Sequence, residues 1–494
     1  MTAQPPPRPR RQRIRVSRRF RAGARHTGQV VAEQTVRVVR PSAPPTDAIP
    51  VWTSPDGVDR ATAQAVVDLA LRVGVALLAT GAPAREVVSR TLRVARAYGL
   101  RSIHVDVTFS SLTVSYHRGP NADPMTVMRV VRTRSQDFTR YQRLRDLVES
   151  LAAEPIDVER ARVRLDSVIQ AHHPYRRWIV SAATGGIGAS AAALLGGGPL
   201  IVLLTFLTSV AIASLQHQLK RAGFAPFFTQ AVGAAVPTAV AVGVAVLRRD
   251  LVLLSVSPSL VVAAGIVVLL SGLSFVGAAQ DAIEGYYVTA GGRLTEVMVL
   301  TVGMIAGIVA VLAVAHRIGV PMTISTRTMG DVDTVVQVLA AGVAASFAVS
   351  SYAVGRAVLV CGLAGGAALL LLVAFTSWGA GRPSASAAAA LLVGLPAQLV
   401  ARRVRIPALV ITTAAILPLV PGRSVYQGVF QLVTNTETGL AEGLSTLFDA
   451  AAVGIGIAAG VSMGTSLGRM ALTRRVRLGE PAPDASPGPA DQVR

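Results

Sequence analysis

After Trp178 the chain falls into apolar runs, separated by short links that carry glycine, proline or basic residues. The runs are roughly 16 to 22 residues long, which at 1.5 Å per helical residue matches the hydrocarbon thickness of a bilayer. In that medium each backbone polar group needs a partner within the segment, so the runs are predicted as spanning helices. Ten are expected, at 178–195, 199–215, 229–247, 251–272, 296–315, 334–353, 356–376, 385–401, 406–421 and 446–467. Apolar residues make up 51% of the chain and charged residues 15%, too greasy a balance for a soluble protein. The fold class this implies is an α-helical polytopic membrane protein of about ten transmembrane helices, with a small N-terminal α+β cytoplasmic domain. Small residues recur within the spans, as in GGIGASAAALLGGG, and allow close backbone approach between helices.

The rest of the chain divides by composition. Residues 1–58 are rich in arginine and proline with no apolar periodicity, and read as a disordered basic tail. Ser17-Arg18-Arg19-Phe20 superficially resembles a twin-arginine signal, but no apolar region follows it. Residues 60–176 read as a soluble α+β domain: two amphipathic helices broken at Gly81-Ala82-Pro83, then two or three alternating strands, then helix-forming sequence from Asp137. Two five-span membrane blocks are expected at 177–318 and 334–470, and 479–494 reads as a second disordered tail. With the domain in the cytoplasm, Lys220, Arg221, Arg293, Arg356, Arg402, Arg403, Arg405 and Arg469 all fall inside. Fewer basic residues lie opposite, so both termini are expected in the cytoplasm. The net charge of +21 is concentrated enough at the amino terminus to suit anionic lipid headgroups, and no nucleic-acid module accompanies it.

Between Leu251 and His316 four charged side chains interrupt the apolar sequence: Asp281, Glu284, Arg293 and Glu296, in DAIEGYYVTAGGRLTEV. Charge inside or beside a span is costly, and is kept where it faces protein, water or cargo. Asp281 and Glu284 are three apart, as are Arg293 and Glu296, so each pair would share a helical face, with Gly285 and Gly291-Gly292 letting the chain bend between them. The segment is expected as a cytoplasmic turn or re-entrant cluster between the fourth and fifth spans. The alternative is a plain loop in which Arg293 and Glu296 pair at a helix start.

Proline marks a second region. IPALVITTAAILPLVPGRSVYQGVF places Pro407, Pro418, Pro421 and Gly422 in or at the end of a span, where proline frees carbonyls for water, a neighbour or a ligand. Arg221, Pro226 and Pro237 have counterparts at a constant offset in Arg402, Pro407 and Pro418, an internal echo of the kind transporters built from repeats display.

FVGAAQDAIEGYYVTAGGRLTEV, ILPLVPGRSVYQG and the early LLATGAPAREVVSRTLRVARAYGL together resemble the threonine/serine exporter family, over roughly residues 60 to 470. The resemblance implies a soluble domain and two fused five-span blocks. It also implies export of L-threonine and L-serine across the bacterial inner membrane, driven by the proton motive force. Related two-component members look like dicarboxylate exporters, so a succinate-type substrate is the alternative. The implied partners are a small amino acid and protons; homo-oligomer formation is left open.

A zwitterionic substrate needs a cationic seat for its carboxylate and an acidic one for its ammonium, and a proton antiporter needs an acid that changes charge state. Asp281, Glu284, Arg293 and Glu296 supply both, so Asp281 or Glu284 is expected to carry the proton and Arg293 to hold the carboxylate. Pro418, Pro421 and Gly422 are expected to shape the site. No catalytic residues and no cofactor are expected: GxSxG and Walker motifs are absent, and the single cysteine, Cys361, makes a cysteine metal site impossible. His172-His173 lack neighbours at metal-ligand spacing, so no metal is expected. A membrane-anchored sensor remains as another reading, although ten spans exceed what anchoring needs.

Overall fold

The computed structural model describes residues 58–118, 123–250, 258–269, 272–320, 334–433 and 439–479. The expected tails lie outside the described residues, apart from Val58 and Gly479.

Helix α1 (Arg60–Ala79) is capped by Asp59, whose carboxylate accepts the Thr62 N–H at 3.0 Å. It runs through the middle of the amino-proximal domain with Val66, Leu69, Val73 and Leu77 fully buried. Gly81 turns the chain at φ +83, and α2 (Ala84–Ala97) starts behind Pro83. Strands β1 (Ile103–Thr108), β2 (Ser111–Tyr116) and β3 (Met125–Val130) form one antiparallel sheet in that order. Ile103, Val105 and Val107 alternate inward with Leu112, Val114 and Tyr116, placing β-branched residues on the core face. Helices α3 (Phe138–Ala153) and α4 (Val158–Gln170), capped by Asp137 and Asp157, complete the domain.

The bundle follows: α5 (Arg177–Leu194), α6 (Pro199–Arg221), α7 (Pro226–Asp250), α8 (Pro258–Leu269), α9 (Gly272–Ile283) and α10 (Tyr287–Arg317). A second series comprises α11 (Thr334–Ser350), α12 (Arg356–Ser377), α13 (Arg382–Val404), α14 (Ala408–Ile416) with a 3-10 turn at Leu417–Leu419, α15 (Gly422–Val433) and α16 (Gly439–Gly479). Among the described residues seven helices are long and apolar enough to cross a membrane, or nine if each of two bent pairs counts as one span. The seven include α1, which belongs to the domain and is buried within it. Glycine- and serine-rich α5 and the 17-residue α11 are weaker candidates by length and composition, yet both pack as members of the bundle.

Three expectations change. The run at 251–272 is not one straight span: α8 meets α9 at 42°, and α9 carries the chain on to Ile283. The acidic pair therefore lies at a helix end, and Arg293 and Glu296 lie inside α10. The bend is made at Gly285, φ +92, whereas Gly291 and Gly292 are helical. Gly292 lacks a side chain because the Phe109 ring, at the β1–β2 turn, stands where a Cβ would be. Finally, the echo of Pro226 in Pro407 falls on helices that do not correspond in packing.

The correspondence the packing does show runs in chain order. Helices α5 to α10 match α11 to α16: in each series the first touches the second, the second the third, the fourth touches the first three, the third touches the sixth and the fifth the sixth. The two series meet along α5 and α11. In both, glycines four apart on the sixth helix abut carbonyls four apart on the third. Gly303 and Gly307 abut Phe227 and Ala231, while Gly456, Gly460, Gly464 and Gly468 abut Pro383, Ala387, Leu391 and Leu395. At each of these glycines an added Cβ would collide with a backbone oxygen.

Candidate functional site

Two sequence segments about two hundred residues apart meet where the domain sits on the bundle. Helix α2 begins with exposed amide donors, because Pro83 offers no side-chain cap. Asp281, in the last turn of α9 and completely buried, supplies the missing acceptor: its Oδ1 takes the Ala84 N–H at 3.3 Å. A carboxylate there also meets the positive end of the α2 dipole.

Arg293 approaches from α10, with its Nη1 3.1 Å from Asp281 Oδ2. That contact is an ion pair by distance but is out of line for a hydrogen bond, and Oδ2 is buried with no donor on it. Charge is compensated while one lone-pair site stays open. Arg293 also reaches the Ala82 carbonyl at 3.5 Å, and its Nη1 fills the space above Gly277 that a Cβ would need. Glu284 takes a different partner, Arg85 of α2, at 3.6 Å. Glu296 is exposed and makes no ion pair with Arg293, so the loop reading in which those two pair does not hold.

The domain is pinned to the same turn by backbone contacts. The Phe109 N–H donates to Thr289 Oγ1 at 3.1 Å, and that hydroxyl donates to the Val107 carbonyl at 2.7 Å. Arg134 lies over the Phe109 ring at 4.6 Å. Burial, and then the nearby Arg293 guanidinium, push the Arg134 pKa down, against the smaller opposing pull of Glu296 and Asp281. The Tyr286 hydroxyl is buried beside this cluster without a hydrogen-bond partner. Sequence reading singled out neither Arg85 nor Tyr286; the uncapped start of α2 was the available signal for the former.

Pro418, Pro421 and Gly422 stand apart from the charges. They form the break between α14 and α15, bent by 48°, and line a cavity of about 510 Å³. Pro421 also borders an apolar cavity of about 160 Å³ that the other break reaches too, through Leu269, Phe275 and Val276. Its main polar group is Gln230 of α7, whose amide donates to the Leu269 carbonyl at 2.6 Å and whose Oε1 accepts from Gln216 at 3.3 Å. Gln230 thus satisfies a carbonyl freed by the break between α8 and α9, a role the sequence did not reveal.

A helical bundle with two broken spans, and a buried ion pair where it meets a soluble domain, defines a multi-pass membrane protein with its charged site at one end of the bundle. Models of the threonine/serine exporter family match residues 68–315 and 337–467. The "Probable threonine/serine exporter" of Mycobacterium tuberculosis is 36% identical over 83% of this chain and 78% of its own length. The "Threonine/serine exporter" of Corynebacterium glutamicum is 32% identical over 88% of each. The chain belongs to the threonine/serine exporter family. No solved structure matches it.

Proposed function

We propose that this protein exports L-threonine and L-serine from the bacterial cytoplasm across the inner membrane, driven by proton entry. Both termini and the amino-proximal domain are then cytoplasmic. That orientation agrees with the domain-side end of the bundle, which carries Arg293, Arg356, Arg402, Arg403, Arg405 and Arg469. The observation that carries the mechanism is the open Oδ2 of Asp281 beside Arg293. A zwitterion can part the two, placing its ammonium on Asp281 and its carboxylate on Arg293, so that both buried charges keep a partner. A proton on Asp281 removes the ammonium seat. Proton and substrate therefore exclude one another at a single carboxylate, as exchange in opposite directions requires. Glu284, held by Arg85, is the second acid of the path.

Purified protein in liposomes tests this with threonine, serine and succinate as cargo. Asp281→Asn abolishes movement driven by a pH gradient, and Glu284→Gln weakens it. Proton-driven threonine flux unchanged in both variants sinks the mechanism, and preference for succinate over both amino acids sinks the substrate assignment.

A further inference from the structure

A third cavity, of about 470 Å³, opens between the domain and the bundle and is bordered by Gln280 and Glu284. Its walls are α2 and α3 on one side and α9, α13, α14 and α16 on the other. Six arginines line it, Arg85, Arg90, Arg93, Arg145, Arg402 and Arg469, against two acids, Glu86 and Glu284. Some of that charge is already matched. Arg85 pairs with Glu284, and Arg90 and Arg93 with Glu86 or Glu149.

Two arginines on opposite walls are different. Arg145 of α3 and Arg402 of α13 make no ion pair among the described residues, and the Nε of Arg145 is enclosed without a hydrogen-bond acceptor. A buried guanidinium nitrogen with no acceptor is costly, and its planar fork is shaped for an oxyanion. A zwitterionic amino acid has no net charge and leaves this excess uncompensated. The geometry points to a site for a multiply charged, phosphate-type oxyanion, gripped by Arg145 from the domain and Arg402 from the bundle.

Such a ligand bridges the two parts, so its occupancy clamps the domain onto the bundle end that holds Asp281 and Arg293. It is distinct from the exported cargo and acts on it through domain docking. The phosphate has two possible sources, a free phosphate compound or the headgroup of an anionic lipid, and both present the same oxygens to the arginines.

The test uses the full chain. Inorganic pyrophosphate is titrated against detergent-purified protein while thermal unfolding is followed. In parallel, the protein is placed in nanodiscs of phosphatidylcholine with or without phosphatidylglycerol. A free ligand gives a saturable rise of roughly a few degrees with pyrophosphate. A headgroup ligand gives that rise with phosphatidylglycerol instead. Either rise is lost in Arg145→Gln and in Arg402→Gln, and is partly kept in Arg402→Lys, which keeps the charge without the fork. Arg402 is exposed, so its variants fold even if Arg145→Gln does not. No saturable rise in either arm, or a rise that survives Arg402→Gln undiminished, overturns the proposal.

Discussion

Removing the Arg293 guanidinium should cost far more than removing both it and the charge on Asp281. Asp281 is completely buried and the Arg293 side chain is 11% exposed, with 3.1 Å between the nearest charged atoms. At an effective dielectric of about 20, Coulomb attraction at that separation is about 5 kcal/mol. Desolvation offsets much of it, so the intact pair contributes little net stability. Deleting one partner strands the other, at about 3–5 kcal/mol. Arg293→Ala leaves Asp281 with a single 3.3 Å hydrogen bond from the Ala84 amide, and should fall in that range. Asp281→Asn keeps an acceptor for that amide and strands a less deeply buried cation, so it should cost less. The double variant should be more stable than Arg293→Ala alone, with a coupling of about 2 kcal/mol or more between the sites. Denaturant unfolding in detergent, followed by circular dichroism for the four proteins of the cycle, measures this. Costs that add within about 0.5 kcal/mol would refute the view that these side chains form one buried electrostatic unit.

Three other outcomes follow from the packing. Gly307→Ala should be strongly destabilising, because its Cβ would press on the Ala231 carbonyl; Gly291→Ala, with open space around it, should be neutral or stabilise by about 0.5–1 kcal/mol, and thermal melts compare them. Gln230→Leu should cost about 1–3 kcal/mol by leaving the Leu269 carbonyl unpaired, and should slow transport in liposomes. Burial and then His117 lower the His104 pKa below its usual 6.5, so the folded state binds fewer protons than the unfolded chain. That contribution is intact above about pH 6.5 and is lost as the pH falls below it; the fall in melting temperature between pH 7.5 and 5.5 should be shallower in His104→Gln.

The helices of the amino-proximal domain and most spans were legible because amphipathic and apolar periods are local properties. The breaks were legible unevenly. Pro418 and Pro421 announce theirs, whereas the one between Leu269 and Gly272 lies in apolar sequence that reads as a single span. Of the four charges, Asp281 and Arg293 do converge, but through a turn at Gly285 and an α2 terminus that helical spacing cannot reveal. Glu284 looks three residues back to Asp281 in sequence and to Arg85 in space. Pro418, Pro421 and Gly422, read as parts of one site with the charges, line a cavity apart from the one that Glu284 borders, whereas Pro407 at the other end of the same motif reaches the cavity of Glu284: which end of the motif comes near α9 is set by tertiary packing alone.

The stacked glycines of α16 against α13 carry a mechanical consequence. Each carbonyl sits against a glycine that leaves no room for a Cβ, so a slide of less than a turn takes every carbonyl off its glycine at once. The two helices are interlocked like a rack, and α10 with α7 forms a shorter rack in the other series. Any movement that exposes Asp281 to opposite sides in turn has to leave these racks intact. Such a movement would carry α13 with α16, and α7 with α10, as paired units.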